Sequence, residues 1–216
     1  MFLLKKKSTG NRLFIAMFTL FMLGMVSASS AQLYDVEVKL VRIKCLKVVE
    51  APFDTEEDIF GSTYISAYRM KDANGRMQSV GCCFLGAGGQ NYHFRFFTNV
   101  GNTPYKLGLN ESRTFGTYYT FRGMTMTQLL SLEFGLGGNI SDAELVPVRY
   151  QNCNECGDDY RLVRMSDFKS QFETLAAGAS KLMKVGSDNI MELNFYEGDA
   201  NSSHIQLQFN IKVTRK

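Results

Sequence analysis

Apolar and polar residues alternate with period two along most of the chain beyond residue 32, the signature of half-buried strands. Val36, Val38 and Leu40 alternate with Glu37 and Lys39; Val41, Ile43 and Cys45 alternate with Arg42 and Lys44. The inward phase flips between Leu40 and Val41, as a β-bulge or a change of strand partner would make it do. The clearest case is the last strand, where Ile205, Leu207, Phe209, Ile211 and Val213 share one face and Gln206, Gln208, Asn210, Lys212 and Thr214 the other. Further strands are predicted over 62–70, 77–85, 92–98, 112–121, 128–136, 144–150 and 190–196, with glycine-rich turns at 72–75, 86–89, 101–104 and 135–138. One segment departs from the rule. Ser166-Asp167 reads as the cap of a helix over 167–183, with Phe168, Phe172, Leu175, Ala179 and Leu182 on one face. Many short strands, one short helix and no βαβ rhythm predict an all-β fold, a single antiparallel sandwich of about 8–9 strands.

The first thirty-one residues follow another pattern. Lys5, Lys6, Lys7 and Arg12 precede a fourteen-residue run, Leu13 to Val26, interrupted by Thr19 and Gly24. Ser29 and Ala31 then supply small residues at the positions a signal peptidase inspects. A basic, then apolar, then small-residue order is that of a cleavable signal peptide. The run is shorter than the roughly 20 residues a spanning helix needs. The expected organisation is a signal peptide over 1–31 and one domain over 32–216, secreted, periplasmic or at the cell surface, with no transmembrane anchor after processing.

That reading changes the meaning of the charge. The 216-residue chain carries 24 basic and 21 acidic residues, net +3, but residues 1–31 hold four of the cations and no acid. The remainder has 20 basic and 21 acidic residues, net −1. No run of basic residues is left to bind nucleic acid.

The candidate chemistries are thin. Cys153-Asn-Glu-Cys156 is a CxxC in a polar stretch, without the strand–helix context of a redox pair. Cys82-Cys83 point to opposite faces of a strand and give zinc no second spaced pair. These four cysteines are therefore disulfide candidates in an oxidising compartment, while Cys45 shares the inward phase and reads as a buried thiol. His93 shares the outward phase with Arg95, a solvent-facing position, and His204 opens the last strand. No nucleophile–base motif accompanies either. A carboxylate-based hydrolase or a thiol redox protein is the alternative to a non-catalytic module.

Two acidic loops stand out: 50–58, containing Asp54 and Asp58, and 197–201, containing Glu197 and Asp199. Oxygen-rich loops gathered at one end of a sandwich suit Ca²⁺, which takes six to eight oxygen ligands at about 2.3–2.6 Å.

The strand Val36–Lys47, the acidic loop and Asp58-Ile-Phe-Gly-Ser-Thr-Tyr64-Ile65 resemble the start of a C2-like β-sandwich. Met191-Glu-Leu-Asn-Phe-Tyr196-Glu197-Gly-Asp199 is similar to that family's later Tyr-Asp-x-Asp loop. The resemblance implies an eight-stranded sandwich with a calcium or lipid site on apical loops, Asp54 and Asp58 in the first loop and Glu197 and Asp199 in the later one. The chain departs from the pattern at Ile59, where the family has Pro, at Glu197, where it has Asp, and at Ile205, where it has a third acid. The signal-peptide style also resembles secreted proteins of Bacteroidetes bacteria. The expected function is a secreted or periplasmic non-catalytic binding or structural module, calcium-assisted through its acidic loops. Its partner would be an extracytoplasmic protein, a glycan or an envelope component.

Overall fold

Two long strands pair over almost their whole length and set the frame. β1 (Leu33–Lys47) and β12 (His204–Arg215) run antiparallel, with Tyr34 opposite Arg215 at one end and Lys47 opposite His204 at the other. The computed structural model describes residues 32–48, 55–80, 93–99, 105–142, 160–196 and 204–216. Leu33–Lys216 form one compact unit.

Twelve strands among the described residues make two antiparallel sheets. In the first, β10 (Ser180–Leu182) and β11 (Met191–Tyr196) lie along one side of β12. β6 (Ser112–Thr114) and β7 (Tyr118–Thr125) lie along the far side of β1. In the second, β2 (Glu56–Lys71) carries β5 (Tyr105–Gly108), β4 (Phe94–Asn99) and β3 (Met77–Val80) in succession along one side. β8 (Glu133–Asp142) flanks its other side, and β9 (Tyr160–Arg164) pairs with β8. Each sheet is thus four strands wide, with long strands inside and short ones at the edges, which keeps exposed backbone edges short.

Period-two patterning explains the layering. Tyr34, Val36, Val38, Leu40, Ile43 and Cys45 of β1 and the five apolar positions of β12 are buried on one face. Each such aliphatic or aromatic side chain contributes about 1.5–3 kcal/mol when fully buried. Facing them from the second sheet are Ile59, Ile65, Phe134, Leu136 and Ile140. Rings cross the gap: Phe96 meets Phe209 with centroids 5.3 Å apart, and Phe121 meets Phe134 at 5.4 Å. The phase flip in β1 is a bulge. Leu40 is opposite Phe209 and Arg42 is opposite Gln208, so Val41 is the extra residue that returns Ile43 and Cys45 to the core.

Three elements differ from the sequence reading. The strand expected over 128–136 is split by a short helix, α1 (Met126–Ser131), before β8. Thr125 and Gln128 cap it reciprocally: Gln128 N donates to Thr125 Oγ1 at 3.3 Å and Thr125 N to Gln128 Oε1 at 2.9 Å. The strand expected over 112–121 breaks at 115–117 into β6 and β7. The helix expected over 167–183 is one 3₁₀ turn, Met165–Phe168, running into α2 (Lys169–Phe172), without a side-chain cap from Ser166 or Asp167. Beyond it Gly178 turns at φ 78° and its N–H donates to Arg215 O at 2.8 Å, so the chain joins the edge of β12 as β10 instead of continuing as a helix.

Candidate functional site

The outer face of the first sheet carries a linked set of polar side chains. It follows from the same alternation: what points away from the core on β7, β1, β12 and β11 must share one surface. Over β7, β1 and β12 this surface forms a polar groove of about 330 Å³. Asp35 and Glu37 of β1 form its floor, with Tyr118, Thr120 and Arg122 of β7 on one side. Lys212 and Thr214 of β12, with Lys216 just beyond the strand, close the other.

Ion pairs fix the floor. Lys212 Nζ lies 2.8 Å from Glu37 Oε1, and Lys216 Nζ lies 2.9 Å from Asp35 Oδ2. The Gly123 N–H donates to Asp35 Oδ1 at 2.9 Å. Burial pushes the Asp35 carboxyl up, but the bonds from Lys216 and Gly123 and the nearby charges of Lys216 and Arg122 outweigh it and hold the group below the ordinary carboxylate value. Tyr118 stands 54% exposed, the one large apolar ring open to solvent at this groove.

Towards the other end of the sheet the face becomes a hydrogen-bonded ladder. Arg42 Nε donates to Gln208 Oε1, and Gln208 Nε2 reaches Glu192 Oε1 at 3.0 Å and Gln206 Oε1 at 2.7 Å. Gln206 Nε2 donates to Asn194 Oδ1 at 3.1 Å, and His204 Nε2 lies 2.9 Å from the same oxygen. Gln206 and Gln208 face away from the core as expected, yet they are buried beneath these neighbours. Burial, together with the charge of Lys47, holds the His204 imidazole below its ordinary value.

His93 corrects its sequence assignment. It is half-buried between the sheets, with Nε2 2.7 Å from the Tyr119 hydroxyl and its ring edge-on to Tyr68 at 4.6 Å. Its position just ahead of β4 lets the ring tuck toward Tyr119 and Phe121 of β7 instead of continuing the outward phase of Arg95. Burial lowers its pKa.

The sequence-derived metal candidates are only partly placed. Asp54, Glu197 and Asp199 lie outside the described residues. Asp58 belongs to β2 and not to a loop, opposite Lys106 of β5, and its side chain is also outside the described set. The strand ends that bear the two acidic segments are neighbours: Lys47 ends β1, Tyr196 ends β11, and both are register partners of His204. The disulfide candidates Cys82, Cys83, Cys153 and Cys156 lie outside the described residues. Cys45 is a buried thiol whose Sγ is 3.5 Å from Lys47 O.

No family model matches the chain, and no curated protein sequence matches it. Among solved structures it is similar to a C2 domain of a plant extended synaptotagmin 1, at 9% identity and a TM-score of 0.32, over 84% of this chain and 93% of that one. That likeness is too low to carry residue roles across. The class defined by the fold itself is a two-sheet antiparallel β-sandwich module with a polar sheet face.

Proposed function

We propose that the chain is an exported, non-catalytic β-sandwich binding module whose ligand lies on the outer face of the β11–β12–β1–β7 sheet. The observation that carries this is the groove itself. Four of its charged side chains, Asp35, Glu37, Lys212 and Lys216, are held in place by ion pairs before any ligand arrives, which lowers the ordering cost of binding. Both described imidazoles, the residues best suited to general-base work at neutral pH, are engaged by neighbours, His93 by Tyr119 and His204 by Asn194.

The test is a screen of the protein against envelope glycans and extracytoplasmic proteins, repeated with Glu37→Ala/Tyr118→Ala. Ligands of the wild type should lose about tenfold or more in affinity, about 1.4 kcal/mol or more. Ligand released as cleaved fragments would put an enzyme in place of the module, and full affinity in the variant would move the site elsewhere.

Export rests on the pattern from Lys5 to Ala31. N-terminal sequencing of the protein recovered outside the cytoplasm should begin at Gln32; a retained Lys5–Arg12 segment overturns this part of the proposal. Calcium belongs to the same reading, resting on Asp54, Asp58, Glu197 and Asp199 and supported by the adjacency of Lys47, His204 and Tyr196 at the strand ends.

A further inference from the structure

The outer row of β1 changes sign along its length. At its N-terminal end Asp35 and Glu37 are matched by Lys216 and Lys212. From there on every charged residue of the row is basic: Lys39, Arg42, Lys44 and Lys47, brought onto one face by alternation and by the two register shifts at 40/42 and 45/47. Beside that half lie two described carboxylates: Glu192, engaged by Gln208, and Glu111, whose carbonyl accepts from Cys45 N and whose carboxylate accepts from the Gly108 N–H. Among the described residues no carboxylate pairs with Lys39 or Lys44.

The row spans the nine residues 39–47, about 26 Å at the 3.2–3.4 Å rise of a strand. Its four side chains are half-buried, each partly covered by its neighbours on the face. Such a row concentrates positive charge along a line, and cations like Lys39 and Lys44, half-buried and without a described carboxylate partner, attract anions. Tyr118 is the register partner of Lys39, so an exposed ring stands where the basic row meets the groove. A ring of this kind offers an apolar face with a polar tip.

We propose that the ligand is an anionic polysaccharide, its carboxylates or sulfates over Lys39, Arg42, Lys44 and Lys47 and a sugar ring on Tyr118. This rests on the binding-module reading and names the ligand class for the same sheet face. A thin, repeating polyanion follows a half-buried linear row, whereas a bilayer presents a plane that meets projecting side chains first. The flanking Gln206, Gln208 and Asn194 are polar, where an interfacial membrane site would set apolar side chains to enter the acyl boundary.

The experiment is titration calorimetry on the protein as the producing cell processes it. The probes are heparin and polygalacturonate, neutral dextran, and vesicles of phosphatidylserine with phosphatidylcholine. At least one acidic polysaccharide should bind and dextran should not. Binding should weaken strongly between about 0.1 M and 1 M salt, as the screening length falls from about 10 Å to 3 Å. Lys39→Gln/Lys44→Gln should weaken it about tenfold or more, while Lys71→Gln on the other sheet leaves it unchanged. If the double variant does not fold, Tyr118→Ala and the salt dependence of the wild type decide. Binding to vesicles alone, to neither polysaccharide, or equally by a folded double variant overturns the assignment. If another ligand from the screen still depends on Glu37 and Tyr118, the ligand class falls and the module stands. If none does, the module reading falls as well.

Discussion

At Gly138 a β-carbon would lie 2.9 Å from Phe195 Cζ and 3.1 Å from Leu207 Cδ1. β8 of one sheet therefore approaches side chains of the other closely enough that a β-carbon would crowd them, and Phe195 and Leu207 are both buried. Gly138→Ala should destabilise the protein by about 1–3 kcal/mol through overpacking, read as a lower urea midpoint with an unchanged slope. The two histidines predict a pH effect. His93 sits below its ordinary value of 6.5 because burial penalises its charged form, and His204 is shifted the same way by burial and by Lys47. The unfolded chain takes up these protons more readily, so their contribution to stability is fully present above pH 6.5 and is lost as pH falls through the folded values. The urea midpoint should be lower near pH 5 than near pH 7, and His93→Phe should reduce that difference. Asp35, held below 3.8, acts only at more acidic pH and leaves this window clear. No change in the pH 5–7 difference for the variant would mean that His93 does not carry the effect.

Single elements show where patterning ends and pairing begins. The bulge at Val41 was legible as a change of phase, because a strand with one buried face cannot slip by one residue without exposing its apolar set. The α1 helix was missed: the apolar Leu129, Leu130 and Leu132 read as a strand, and the signal for the helix was Thr125-Met-Thr-Gln128, the spacing of a capping box. Thr125→Ala removes an N-cap and should cost about 0.5–2 kcal/mol. The loss should show as a lower melting temperature and faster amide exchange over 126–131. The segment from Ser166 to Met183 misleads in the opposite direction. Its helical spacing is real, yet the backbone of Gly178 and Ala179 bonds to Arg215, and pairing with β12 wins over helix continuation after Phe172. Such competition between local propensity and a distant strand is invisible locally.

For the molecule as a whole, melting with Ca²⁺ or EDTA tests the acidic segments. Ca²⁺ bound only by the folded state raises the melting temperature in proportion to the logarithm of its concentration. The expected outcome is a rise with Ca²⁺ that EDTA reverses. An identical melt in both removes calcium and leaves the sandwich untouched. Net charge fell from +3 to −1 once residues 1–31 were set aside, which hid a basic row that exists only when alternate residues of β1 share a face. Run-length reading finds consecutive lysines, and a strand places its cations two apart.

The sequence by itself determined the fold class, the inward face of β1 and β12, the bulge between them and the buried Cys45. These depend on period-two patterning, and the hydrophobic effect acts on that pattern wherever the strand ends up. The tertiary structure alone decided which polar faces became neighbours. It placed Glu37 against Lys212 and Asp35 against Lys216, drew His93 inward onto Tyr119, buried Gln206 and Gln208 under a ladder, and set Tyr118 beside Lys39. Each of these depends on register between strands far apart in sequence. Register is fixed by the packing of the whole sandwich, and no single strand encodes it.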